Sequence, residues 1–175
     1  MNTVRKILVP IDFSEDSVDG LKYAVSLAQK TQAEIVALHV TQKEDADFFL
    51  DLLAVMEGTP ALNPPSSIPV DRLLHEKALD LYHFIDEVLK NPGQVRIRRK
   101  VVLGNRVERI LGVVKEEKID LVVLAIRKTS LFRYLMTRGK LIKMISKCPC
   151  PVLLKPSLDE PWPASRIIAS SILAR

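Results

Sequence analysis

Two side chains in this sequence stand where a parallel α/β sheet presents groups to a ligand. Asp12 follows the apolar run Lys6-Ile7-Leu8-Val9-Pro10-Ile11, and it is the one carboxylate placed at the carboxyl end of an expected strand beside a candidate pocket. His39 lies one residue before the end of a second such run, Glu34-Ile35-Val36-Ala37-Leu38-His39-Val40. A lone carboxylate at a strand end contacts a ligand or anchors the next helix more readily than it acts as a general base, because proton transfer needs a partner within hydrogen-bond reach of the reacting atoms. A third group is cationic: Arg127, Lys128, Arg133, Arg138 and Lys140 fall within one polar segment. Such side chains could grip phosphate, or they form a solvated basic loop facing an acidic partner.

Other chemistry has little to work with. Cys148 and Cys150 are the only cysteines, one proline apart. Neighbours that close rarely suit disulfide geometry, and His39, His75 and His83 show no metal-ligand spacing with them. The pair reads as reduced, two small core-side residues flanking a turn, in a reducing compartment. No G-x-S-x-G, G-x-x-x-x-G-K or G-x-G-x-x-G occurs, so the machinery for covalent or hydride chemistry is missing and an enzyme is not expected.

The elements that must position these groups alternate along the chain. The run 6–11 is apolar throughout, as a strand covered on both faces requires. Ser14 then supplies an N-cap, with Glu15 and Asp16 at the positive end of the helix dipole and Val18, Leu21, Ala24, Val25 and Ala28 on one helical face as far as Thr31. The second strand follows over 34–40. Residues 41–69 interrupt the rhythm with an acidic stretch, a short apolar helix at 48–53 and a loop carrying Gly58 and prolines at 60, 64, 65 and 69. This excursion reads as a lid or interface, or as a variable insertion packed on its own domain. Leu74, Leu81, Ile85 and Val88 predict a helix that Asn91-Pro92-Gly93 stops. The next strand, 95–103, carries Arg96, Arg98 and Lys100 on one face; these guard a sheet edge, or form a phosphate patch. A helix capped by Asn105 with Val107, Ile110, Leu111 and Val114 inward, a strand at 120–125, a helix at 139–147 with Leu141, Met144 and Ile145 inward, and a strand at 151–154 complete five strands and four helices. Alternation of this kind predicts a doubly wound open sheet with ligands beyond the carboxyl ends of the strands. Residues 1–156 form the expected domain; 157–175, a stiff Pro-Trp-Pro link and a short amphipathic stretch, form an expected docking helix.

With 175 residues, 47% of them hydrophobic and 27% charged, the chain can bury a core without disulfides or metals. A net charge of +5 and an aromatic content of 5% give neither the field nor the stacking platform of a nucleic-acid binder. Charged residues break every apolar run before the roughly 18 residues that would cross a bilayer, so no membrane role is expected. The opening MNTVRKILVP lacks the apolar core of a secretion signal, and a cytoplasmic location follows as an expectation.

Lys6-Ile-Leu-Val-Pro-Ile-Asp12-Phe-Ser14, Leu38-His39-Val40, Val101-Val102-Leu103-Gly104, Asp120-Leu-Val-Val-Leu-Ala125 and Cys148-Pro-Cys-Pro151-Val-Leu-Leu154 together, in this order and spacing over 4–156, resemble the universal stress protein family. The resemblance implies a stress-response regulatory module on a Rossmann-like sheet of the adenine nucleotide alpha hydrolase type, five parallel strands in the order 3-2-1-4-5 with helices on both faces. It implies a homodimer through the last strand, Val152–Leu154, and in one subgroup ATP at the strand ends. Asp12 matches the position that contacts the nucleoside; Pro10 and Val40 line the same pocket, with Ile11 and Gly104 bordering it.

The family's phosphate loop reads Gly-x-x-Gly-x9-Gly-Ser/Thr. Laid without gaps, its three glycines fall on Ala125, Lys128 and Arg138, and Gly139 takes the hydroxyl position. Backbone N–H groups that cradle phosphate need close approach and often positive φ, which a Cβ obstructs. Losing two or three charge-assisted contacts of about 1.5–3 kcal/mol each removes several orders of magnitude in affinity. The expectation is therefore a module with no required cofactor and weak or lost ATP binding. The alternatives are a nucleotide switch held by Asp12 with Arg127 and Lys128, and a slow nucleotide hydrolase.

Overall fold

The computed structural model describes residues 3–42, 68–90, 93–126 and 139–156. Nine elements follow in order: β1 (Lys6–Ile11), α1 (Glu15–Thr31), β2 (Glu34–Thr41), α2 (Ile68–Val88), β3 (Ile97–Leu103), α3 (Arg106–Glu116), β4 (Leu121–Ile126), α4 (Lys140–Lys147) and β5 (Val152–Pro156). All strands pair in parallel, in the order β3-β2-β1-β4-β5. This is the expected topology. The strand order reverses between β1 and β4, so their carboxyl ends open a crevice where ligands of doubly wound sheets sit.

The core explains why β1, β2 and β4 read as unbroken apolar runs. On one face Ile7, Val9 and Ile11 meet Leu21, Ala24 and Ala28 of α1 and Leu81 and Ile85 of α2. On the other, Leu8, Val36, Leu38 and Val40 meet Val107, Ile110 and Val114 of α3 and Met144 of α4. Alternate residues of one strand thus serve two cores, which leaves few positions for a polar side chain; His39 and Thr41 near the carboxyl end of β2 are buried exceptions.

Three details depart from the sequence reading. In α2, Leu73 is the buried residue and Leu74 is half-buried. In α4, Met144 is buried but Ile145 faces outward. Among the described residues no strand pairs with β5 on its outer side. Strand β3 begins at Ile97, two residues later than expected. Its position at the sheet edge is as expected, and its cations are paired: Arg98 contacts Glu34 at 2.9 Å and Glu117 at 2.7 Å, and Lys100 contacts Glu117 at 3.1 Å and Glu116 at 3.5 Å. Edge guarding accounts for them, with the charge spent on carboxylates. The 43–67 part of the excursion, the cationic segment 127–138 and the tail 157–175 lie outside the described residues.

Candidate functional site

The chain leaves β1 at Ile11 and turns sharply into α1, and the turn is built around the Asp12 carboxylate. Its Oδ1 accepts from the Ser14 N–H at 3.2 Å, from Ser14 Oγ at 2.5 Å and from Ser17 Oγ at 2.6 Å, while the Asp12 N–H donates to Ser17 Oγ at 2.9 Å. Ser14 caps α1 in turn by accepting from the Ser17 N–H. One oxygen therefore does all the structural work. Among the described residues Oδ2 accepts no hydrogen bond, which leaves it available to a ligand hydroxyl or amine at the strand's carboxyl end. Anchor and ligand contact, alternatives in sequence, are compatible on this one side chain.

Phe13, a residue the sequence reading passed over, sits at φ 63° between Asp12 and Ser14. The left-handed conformation turns its ring back over the sheet, where it lies 4.5 Å from the His39 ring and meets Phe84 of α2 edge-on at 5.6 Å. Lys77 Nζ stands 5.9 Å from the same ring. His39 is buried, with Nδ1 2.9 Å from the Ile11 carbonyl oxygen. A carbonyl can only accept, so Nδ1 carries the proton and Nε2 is the unprotonated nitrogen of a neutral ring. Burial holds the imidazole below its ordinary pKa of 6.5, and the positive charges of Lys77 and Arg106 push the same way against the Ile11 bond and Asp12. His39 thus pins the end of β1. A lone phenylalanine after an aspartate carries no sequence signal for positive φ, so this layer was not legible.

The other expected residues divide. Pro10 and Ile11 are buried in β1, and Val40 is buried against the α3 face at the end of β2. Gly104, at φ 138°, follows β3 and donates its N–H to the Thr41 carbonyl at 2.9 Å, which holds the β3 exit against the end of β2. The Ala125 methyl faces α1: a Cβ on Gly20 would lie 3.3 Å from it, so the helix comes close where the strand carries a side chain. Gly139 is exposed, at φ 64°, and opens α4 with no side-chain cap. Left-handed glycine geometry thus survives at a position that gapless spacing assigns to a hydroxyl residue. Arg127 and Lys128 lie outside the described residues. A cavity of about 530 Å³ lined by Arg5, Gln29, Gln32, Glu34, Gln94 and Arg96 opens at the amino ends of the strands, the opposite end from Asp12.

The sequence model of the universal stress protein family matches residues 3–156. The chain belongs to that family. Universal stress protein MJ0531 of Methanocaldococcus jannaschii is 28% identical over 162 residues, covering 90% of this chain and 86% of the relative. Among solved structures, MJ0577 of the same organism superposes with a TM-score of 0.62 at 23% identity, over 91% of this chain and 100% of that one. A universal stress protein from Archaeoglobus fulgidus, solved in complex with dAMP, gives 0.53 at 14% identity over 87% and 98%. At these identities the structures carry the fold. Among the described residues no group of three or more His, Cys, Asp or Glu side chains could hold a metal, and no helix is long and apolar enough to cross a membrane.

Proposed function

We propose that this chain is a homodimeric regulatory module of the universal stress type that holds an adenine nucleotide weakly, by its nucleoside rather than by its phosphates. The observation that carries the reading is the division of labour on Asp12, where Oδ1 closes the turn and, among the described residues, Oδ2 accepts no hydrogen bond. An acceptor fixed in this way can take a ribose hydroxyl or an exocyclic amine without paying to order itself. The dAMP held by the A. fulgidus relative is of the ligand class that fits. For the phosphates less is offered: among the described residues Gly139 alone provides positive φ at the start of α4, and the first motif position carries Ala125. Homodimerisation is supported by β5, which among the described residues pairs on one side only and leaves Leu154 exposed.

Calorimetric titration with ATP, ADP, AMP and adenosine tests this reading. Dissociation constants above roughly 0.1 mM, corresponding to about −5.5 kcal/mol or weaker, are expected, and AMP and ATP should agree within a few-fold. Asp12→Asn retains an oxygen for Ser14 and Ser17 but replaces the open acceptor with a donor, so the nucleotide-induced rise in melting temperature should vanish while the unliganded melt stays near that of the parent. Micromolar ATP binding with AMP a hundredfold weaker would contradict the proposal, as would phosphate release abolished by Asp12→Asn.

A further inference from the structure

The turn from α4 into β5 reads Cys148-Pro149-Cys150-Pro151. Each cysteine precedes a proline, and a residue before proline is pushed out of the helical region into extended backbone. Cys148 ends α4 in that conformation, at φ −72° and ψ 124°. In extended chain, side chains two apart leave on the same side, so the two thiols are aimed together by local sequence alone. Their sulfurs stand 3.6 Å apart, both thiols are free and half-buried, and both pack against the α3/α4 core. The prolines have already removed most of the backbone freedom that ring closure would otherwise cost.

We infer that Cys148 and Cys150 form a reversible oxidation site, a dithiol that hydrogen peroxide closes to an intramolecular disulfide at the α4–β5 joint. Burial first, and then the adjacent Cys148, raise the Cys150 thiol to about 12, so Cys150 stays protonated and Cys148 attacks. The Cys148 sulfur takes one peroxide oxygen as the O–O bond breaks, giving a sulfenic acid and hydroxide, which the thiol proton converts to water. The Cys150 sulfur then displaces that hydroxyl: the S–S bond forms, the S–O bond breaks, and the Cys150 proton leaves with it as a second water. Two thiols lose two electrons and two protons, and one peroxide becomes two waters. Extended residues two apart place their Cα atoms about 6.6 Å from each other, within the span that a disulfide bridges.

The test uses the full chain, whose two cysteines make the assignment unambiguous. After peroxide treatment, intact mass under non-reducing conditions should be about 2 Da lower, as a dithiol oxidation requires. N-ethylmaleimide uptake should fall from two adducts to none, and dithiothreitol should restore both. Cys150→Ser should leave a sulfenic acid on Cys148 that dimedone captures, whereas Cys148→Ser should leave Cys150 unlabelled. Disulfide-linked dimers, oxygen addition with no lighter species, or two intact thiols after millimolar peroxide would each overturn the inference. Dimedone capture at Cys150 in Cys148→Ser would overturn it as well.

Discussion

Asp12 and Gly104 show how single residues are fixed by geometry that their types only hint at. An aspartate before Ser14 and Ser17 is readable as a helix-start anchor, but only the folded turn shows that one oxygen suffices for all three hydrogen bonds. Gly104 sits at φ 138°, where a Cβ would stand 2.8 Å from Arg109 Nε, itself bonded at 2.7 Å to the Leu103 carbonyl. Gly104→Ala must distort the backbone or break that contact, and about 1–3 kcal/mol of stability should be lost. Urea unfolding would report it as a lower midpoint at unchanged slope. A slope change would point instead to an altered unfolded state.

At the scale of elements, β3 is held to its neighbours by charge as well as by the ladder. Glu117, just past α3, receives Arg98 at 2.7 Å and Lys100 at 3.1 Å, and these bonds, Arg98 foremost, lower its pKa from 4.5 to about 2. A depressed carboxylate contributes stability that is present above its ordinary pKa and is lost as pH falls from about 4.5 toward 2. Arg98 is partly exposed to solvent, so the contribution is about 0.5–1 kcal/mol. Glu117→Gln should therefore lower the melting temperature at neutral pH, and the gap to the parent should close as melts are repeated below pH 4.5. A gap that persists into acid would assign the loss to packing. The alternating cations of β3 marked an edge strand in sequence; their partners could not be read there, because Glu34 and Glu117 come from distant parts of the chain and meet only in the folded sheet.

At the scale of the whole molecule, the two ends of the sheet are treated differently: β3 is guarded by charge, while β5 ends in an apolar flank. Leu154 is 39% exposed, and Ile142 and Ile145 of α4 are 68% and 40% exposed. If β5 is the dimer contact, Leu154→Lys should raise the dimer dissociation constant at least tenfold, about 1.4 kcal/mol, with the melting temperature of the monomer little changed. Sedimentation velocity across concentrations checks this, and a parent chain that is monomeric throughout would refute it. The five strands and four helices of the described residues, the caps at Ser14 and Asn105 and the edge character of β3 are all written locally in the chain, because periodicity, capping and charge alternation are local signals. Folding alone sets whatever depends on residues meeting across the chain. The Phe13 ring lies on His39, Ala125 is matched by Gly20, and Ile145 is left uncovered. No local pattern encodes which distant surface a side chain will face.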